Sequence, residues 1–494
     1  MNLNDFLQTA PLFRVFIMLA AGVTSGEFLF ASSSPGIILI TAAAVIITSF
    51  LVRRSGTVQS LMLFTALFLV GLASHHVSAD MLHLSKRGYY DYKAVVTSNV
   101  KHSNGYSTFD IIKNNGDRNE KIKATIKGNV TFNPGDMLHV KSMINPPEDR
   151  YRSHFSYAEY LKRNGYSGTT FIKRYNIESE RSGYDKLPAL TRFRISMLKM
   201  RSSLLAHLHE EGLSGRDFAT VSAMAFGDKT YLSAGDREMY SRSGVSHVLA
   251  LSGLHIGIIY AFLTFFMTFV PKVPRFLAIQ CAVWFYVVFA GMSPSLVRAA
   301  LMITVYSAGS LMHRDKISLN SLALAGTVSV LVSPQIIFDL CFQLSFMSVF
   351  AIILFYHPIA SLLPDHPLAV RKIMQMTAVS AAAYIGTLPL ILYNFGSMSY
   401  CFLITNLFVI PLTTAVIYLA ILSFVPFVGT YITIALAFVI HVMNTFVAKM
   451  ADLSFLSTDN FYISFSTLIL TYIFIFSIYL IYCKLVFTKN DCNG

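Results

Sequence analysis

The chain has 494 residues, 54% of them hydrophobic and only 13% charged, with a mean hydropathy of +0.55. That balance excludes a disordered chain, a collagen-like fibre and an ordinary soluble domain, whose charged fraction is about twice as large. Yet the formal net charge is +13, from 39 Lys and Arg against 26 Asp and Glu. A hydrophobic chain with a basic excess fits a membrane protein that meets something anionic, so the position of the charge matters.

Three apolar stretches open the chain, at 12–30, 35–52 and 57–74. Each is near the ~20 residues a helix needs to cross the hydrocarbon. The first lacks the charged start of a signal peptide, and two more stretches follow it. Residues 75–245 read as soluble. Nine further apolar stretches follow, at 247–270, 274–291, 294–312, 317–333, 336–357, 371–393, 400–425, 427–450 and 460–486. About 12 spans of ~20 residues use close to half the chain. The expected fold is therefore a polytopic α-helical membrane protein.

Short loops orient it. Lys272 and Arg275, Arg314 and Lys316, Arg371 and Lys372, and then Lys484 and Lys489 fall on one side, while loops 291–293, 333–335 and 394–399 carry no cation. Only Lys449 breaks the pattern. The basic side is cytoplasmic by the positive-inside rule, which places both termini, Arg53 and Arg54 inside and residues 75–245 outside. That outer segment holds 26 Lys and Arg against 18 acidic residues, a net of +8. The five cysteines (281, 341, 401, 483 and 492) all lie elsewhere, and no CxxC or zinc-ligand spacing occurs.

Residues 89–175 carry a β pattern. From Lys121 to Lys127 the chain alternates strictly, with Ile122, Ala124 and Ile126 on one face and Lys121, Lys123 and Lys127 on the other. Leu138, Val140 and Ile144 keep that period, broken once by Ser142. Turn signals stand at Asn104-Gly105, at 115–117 and at 133–136. About five short strands predict a small barrel of the OB type, a fold that binds oligonucleotides. Cations alternate with rings around Lys86, Arg87 and Tyr90, around Arg152 and Tyr157, and at Lys162 and Arg163. Single-stranded nucleic acid is held by that combination, cations on phosphates and rings on bases. A solvated lysine face over a barrel core accounts for any one of these residues equally well.

Residues 188–212 then read as an amphipathic helix on the membrane surface, with Arg192, Arg194, Lys199 and Arg201 opposite Leu190, Phe193, Ile195, Leu198 and Leu205. His207 and His209 are poorly placed to chelate one metal and read as exposed. The expected organisation is a three-span segment over 1–74, an extracytoplasmic β domain over 75–182 and an interfacial helical connector over 183–245. A helical membrane core follows over 246–488, with a cytoplasmic tail over 489–494.

The core opens on an unusual run, from His247 through Ser252-Gly253 to His255 and Gly257. Ser-Gly flanked by two histidines is a poor sequence for a simple anchor, because intramembrane His needs a partner and Gly permits a break or a close contact. Arg298, Asp339, Gln343, Asn394, Asn406, His441 and Asn444 all fall in the outer halves of their stretches. Asp339 and Gln343 share a helix face, and Arg298 and Asp339 come out at similar depth and are expected to pair. These positions predict a polar vestibule open to the outside that narrows to an apolar gate.

At this point the residues carry a resemblance. The run from His247 to Gly257 resembles the signature of the ComEC competence family, inner-membrane proteins of DNA uptake. Ala225-Phe226-Gly227-Asp228 precedes it, and the segment from Ala290 through Ser293-Pro294 to Arg298 follows. Asp339-Leu340-Cys341-Phe342-Gln343-Leu344-Ser345-Phe346 is similar to the family's D-P-x-F-Q-L-S-F, with Leu340 in place of proline. Gly386-Thr387-Leu388-Pro389, Asn406 and Pro411 complete the series, and the barrel resembles the family's OB-like domain. The resemblance implies a channel that passes single-stranded DNA inward. A DNA-receptor protein outside and a helicase or recombination proteins in the cytoplasm would be its partners. Many relatives carry a C-terminal metallo-β-lactamase-like domain, and the last stretch here ends eight residues before Gly494, so no nuclease is expected from this chain. No ATP-binding loop, cofactor motif or metal motif occurs, and no enzymatic activity is expected. Two other readings compete: an intramembrane metal hydrolase using His247, His255 and Asp339, and a transporter of another anionic polymer.

Overall fold

The computed structural model describes residues 10–28, 34–51, 56–81, 84–114, 119–149, 156–180, 187–311, 319–362, 367–453, 457–458 and 460–491. A bundle opens the fold: α1 (Pro11–Phe28), α2 (Pro35–Leu51) and α3 (Gly56–Met81). Helices α1 and α3 touch through glycines. A Cβ added at Gly22 would lie 2.0 Å from the Phe68 carbonyl oxygen, and one at Gly71 would lie 2.2 Å from that of Leu19. Small residues allow such backbone approach where lipid supplies no hydrophobic drive between helices. Helix α3 continues seven residues beyond 74, carrying His75 and His76 into the packed bundle.

The β domain is closed. Strands β1 (Gly88–Val96), β3 (Tyr106–Asn114), β4 (Asn119–Lys127), β5 (Met137–Asn145) and β6 (Gly168–Ile172) form the barrel. A short β2 (Lys101–Ser103) pairs with β3 through the Asn104-Gly105 turn, both residues at positive φ as a two-residue hairpin demands. Strand β1 pairs antiparallel with both β3 and β5, and β6 closes the ring, parallel to β4 and antiparallel to β5. A short helix, α4 (Tyr157–Arg163), precedes β6, and β7 (Ile177–Glu180) adds to β5. Ile122, Ala124, Ile126, Leu138, Val140 and Ile144 are fully buried, as the alternation predicts. Ser142, which interrupts the apolar period, also points inward. It meets the Tyr92 hydroxyl at 2.9 Å and Thr170 at 2.7 Å, so a satisfied hydroxyl triad takes an apolar place.

Helix α5 (Ala189–Glu210) joins barrel and core. Leu190 and Phe193 are exposed, whereas Arg201, placed on the polar face by the sequence pattern, is buried. Ile195 of α5 packs with Val95 and Leu187, and α6 (Gly215–Phe226) and α7 (Ala234–Arg242) follow the helix in the chain. His207 and His209 are exposed, as expected.

In the core, the stretch expected over 247–270 is not one span. It divides into α8 (Ser246–Leu249) and α9 (Gly253–Phe266), separated by extended backbone at Ala250 and Ser252. At ~1.5 Å per residue α9 is about 21 Å long, short of a ~30 Å hydrocarbon core. Then follow α10 (Lys272–Phe289), α11 (Pro294–Leu311), α12 (Leu319–Val332), α13 (Leu340–Ser361), α14 (Leu368–Phe395), α15 (Phe402–Leu422), α16 (Gly429–Asp452) and α17 (Phe465–Asp491). Among the described residues, 8 helices are long and apolar enough to cross a membrane, while α2, α9 and α12 are shorter. The chain is a multi-pass helical membrane protein with an OB-like barrel. The orienting cations Arg53, Arg54, Arg314 and Lys316 lie outside the described residues.

Candidate functional site

The barrel face formed by β3 and β4 is the one an OB fold offers to oligonucleotides. Here it is drawn against the rest of the molecule. Asn99, in the loop after β1, donates to Asp228 at 2.5 Å. Asp228 is buried, accepts from Thr230 and lies 3.6 Å from Arg201, whose guanidinium also donates to the carbonyls of Phe226 and Ala290. Arg194 donates to the Gly291 carbonyl at 3.2 Å. On the barrel's far flank Arg163 reaches Glu27 of α1 at 3.4 Å and stacks over Phe338 of the 3-10 turn Pro334–Phe338, with its centre 4.9 Å from the ring. His75 completes that flank, 3.3 Å from Glu27.

These contacts bring cations of the barrel and the core within electrostatic reach of one another, a cluster called the recess below. Lys123 pairs with Asp110 at 2.8 Å, and Lys121 sits 3.9 Å over the Tyr166 ring. Lys101 and Lys229 are exposed. Even so, burial is the largest influence on each: with the charge of Lys123 it holds the Lys101 ammonium below its ordinary value, and with that of Lys101 it lowers Lys229. Burial lowers Lys121 too, against the pull of Asp110 and with Arg194 adding to it. Burial and the Asp110 carboxylate push the Tyr166 phenol up. Tyr157 and Tyr160 stack at 6.0 Å beside it, and the exposed Cys341 lies within electrostatic reach of Lys229 and Tyr160. Cations outnumber carboxylates throughout.

Not every residue expected to meet DNA faces this space. Lys86, Arg87 and Lys127 are exposed on the barrel, and Lys162 is half-buried. Tyr90 is already covered by Lys113, whose ammonium lies 4.6 Å from the ring centre. Arg163 is committed to Glu27 and Glu159, and Arg152 lies outside the described residues. Sequence reasoning missed Lys101 and Lys229. Their only signals were a hairpin turn three residues after one and Asp228 immediately before the other.

Below the recess, Arg298 is 2% exposed. It donates to the Cys341 carbonyl at 2.7 Å and lies 3.9 Å from Asp339, so the expected pair exists, loosely, with a carbonyl as its closer partner. Asp339 does not share a helix face with Gln343. It is the N-cap of α13, accepting from the Phe342 amide at 2.9 Å, while Gln343 donates to the Ile337 carbonyl. His255 is fully buried in the first turn of α9 and His247 is exposed. Gly253 meets only Ala299, and a Cβ on Gly257 would meet nothing within 4 Å, so neither glycine serves close packing. Pro294 opens α11, and the Ser293 hydroxyl is buried without a partner. Asn406 is buried with its side-chain oxygen unpartnered, Ser345 is half-buried and Asn394 bonds only its own helix at Leu390. His441 and Asn444 bind Asp217 of α6. Among the described residues no group of three or more His, Cys, Asp or Glu side chains stands ready for a metal, so the hydrolase reading gains no support.

The comparisons with known proteins bear on the core. The family described as Competence protein matches residues 224–485, just over half of the chain, beginning after the barrel. The chain is 32% identical over 224 residues to "ComE operon protein 3" of Bacillus subtilis, covering 45% of this chain and 28% of that protein. It is 27% identical over 174 residues to an uncharacterized protein of Aquifex aeolicus, covering 34% of this chain and 38% of that one. The chain thus spans well under half the length of these curated relatives. No solved structure matches it. The matched segment contains α8 to α16, the Asp228 anchor, the broken helix at Ser252 and the Arg298–Asp339 pair, and on that basis the chain belongs to the competence protein family.

Proposed function

We propose that this chain carries single-stranded DNA across the cytoplasmic membrane of a bacterium during competence, entering from the barrel side. One observation supports the reading: contacts from Asn99 to Asp228 and from Arg194 to Gly291 join the OB-like barrel and its following helix to the core, with Lys101, Lys121 and Lys229 close by. A strand there would have phosphates on the lysines and bases on Tyr157 and Tyr160. A recess of one charge sign focuses the field and concentrates an anionic polymer. The barrel lies outside the cytoplasm in this reading, and the strand passes a polar vestibule at Arg298 before an apolar gate. A receptor protein delivers DNA outside, and cytoplasmic helicase or recombination proteins draw it in. Deleting the gene and supplying labelled DNA tests the function. The label is expected to stay outside the cytoplasm, and cytoplasmic label at the normal rate overturns the reading.

A further inference from the structure

The break between α8 and α9 contains a buried donor with nothing to bind. Ser252 caps α9, and its amide donates to Nδ1 of His255 at 3.2 Å, with its hydroxyl 3.0 Å from the same nitrogen. A nitrogen that accepts from an amide is unprotonated, so the neutral ring carries its proton on Nε2. That Nε2–H is buried and has no acceptor among the described residues. In the same turn the Ser252 carbonyl accepts from the His255 and Ile256 amides, which leaves those of Gly253 and Leu254 with no backbone acceptor among the described residues.

Its place in the fold matters as much. Leu251, in the break, lies under Gly227, where an added Cβ would come within 2.5 Å of the Leu251 side chain. Gly227 leads directly into Asp228 and Lys229 on the rim of the recess. On the other side Gly253 faces Ala299, the neighbour of Arg298. The N-terminal end of a half-helix thus sits where the cationic recess meets the helical core. Discontinuous membrane helices use such ends to face anionic groups, because unpaired amides and the helix dipole both favour negative charge.

We propose that the start of α9 is a phosphate-contacting site, with the His255 Nε2–H and the amides of Gly253 and Leu254 as its donors. The site rests on the DNA-path reading and names the next contact after the lysines. It reads the sugar-phosphate backbone and takes no account of the base.

Trp284, the single tryptophan, packs in the same cluster as Leu251, Ile256 and Ala299 and reports on this site. The test uses the full chain in lipid nanodiscs, titrated with an abasic deoxyribose-phosphate oligomer and with oligo-dT of equal length. Both are expected to change Trp284 emission with midpoints within about threefold of each other, since phosphate is the shared group. His255→Glu keeps a Ser-x-x-Glu capping box and replaces the orphan donor by an acceptor-only carboxylate, so its midpoint should rise at least about tenfold. His255→Met, which removes the donor without adding a charge, repeats the test where the Glu variant fails to fold. A wild-type response that survives in the folded variant overturns this site alone and assigns Nε2 to an internal water. Absence of any response in a wild-type chain that imports DNA also overturns the site alone. A wild-type chain that imports no DNA overturns the path reading with it.

Discussion

The barrel and the membrane core treat polar groups in opposite ways. Inside the barrel Tyr92, Ser142 and Thr170 bond one another, and the buried Lys113 pairs with Glu120 at 3.4 Å. In the core Nε of Arg298, Nε2 of His255, the Asn406 oxygen and the hydroxyls of Ser293 and Thr413 are buried with no hydrogen-bond partner among the described residues. A barrel whose inward polar atoms are paired is built for stability. A core that leaves donors and acceptors open forgoes stability, and the proposed passage of a strand would supply the missing groups.

That contrast is open to attack by substitution. The largest expected loss of stability is Ile122→Ala, which empties a fully buried barrel position at a cost of about 2–5 kcal/mol. Arg298→Met removes one partner of a loose pair, and because Asp339 is partly exposed and keeps its helix cap the loss should stay below the ~3–5 kcal/mol of a broken, fully buried pair. DNA import should nevertheless be abolished in that variant. Thermal unfolding with an import assay checks both, and an Arg298→Met protein that unfolds early yet imports normally breaks the contrast. A smaller pair of effects follows. Ser142→Ala leaves the Tyr92 and Thr170 hydroxyls short of a partner and costs about 1–3 kcal/mol, whereas Asn406→Leu is close to neutral.

Subtler effects come from the recess. Lys101→Glu or Lys229→Glu should lower the salt dependence of oligonucleotide binding, by about 0.7 in log–log slope for each phosphate that is no longer neutralised. Raising the pH gives opposite signs for two readouts. Both lysines lie below the ordinary 10.5 in the fold and return to it on unfolding. Between the folded and ordinary values the unfolded chain binds more protons, so stability contributed by these groups rises with pH, while oligonucleotide binding falls as their charge is lost. Denaturant titrations and binding isotherms across the alkaline range separate the two, and parallel trends would contradict lowered ammonium groups at both positions.

Much of this was legible in the sequence, and the misses have physical causes. Period-two alternation marked the barrel because one face must avoid water, so Ile122, Ala124 and Ile126 were unambiguous. Ser142 interrupted that pattern because a hydroxyl triad substitutes for apolar packing. Arg201 was misread because helical periodicity reports which residues share a face and not what covers that face; Asp228 and two carbonyls cover this one. The α9 break was half legible. Ser-Gly between histidines marked an irregularity, but the orphan proton on Nε2 depends on which nitrogen the Ser252 amide engages. Lys101 and Lys229 stayed hidden because their role comes from docking the barrel onto the core, a long-range contact that no local pattern encodes.

The central claim is that the strand runs between barrel and core instead of over the barrel's outer surface. Photocrosslinking in competent cells tests it most directly, with a photoreactive residue placed at Tyr160 in the recess or at Tyr175, 79% exposed on the barrel. The account predicts crosslinks to incoming DNA from position 160 and few from position 175. Crosslinks from 175 alone, with DNA still imported, would contradict it.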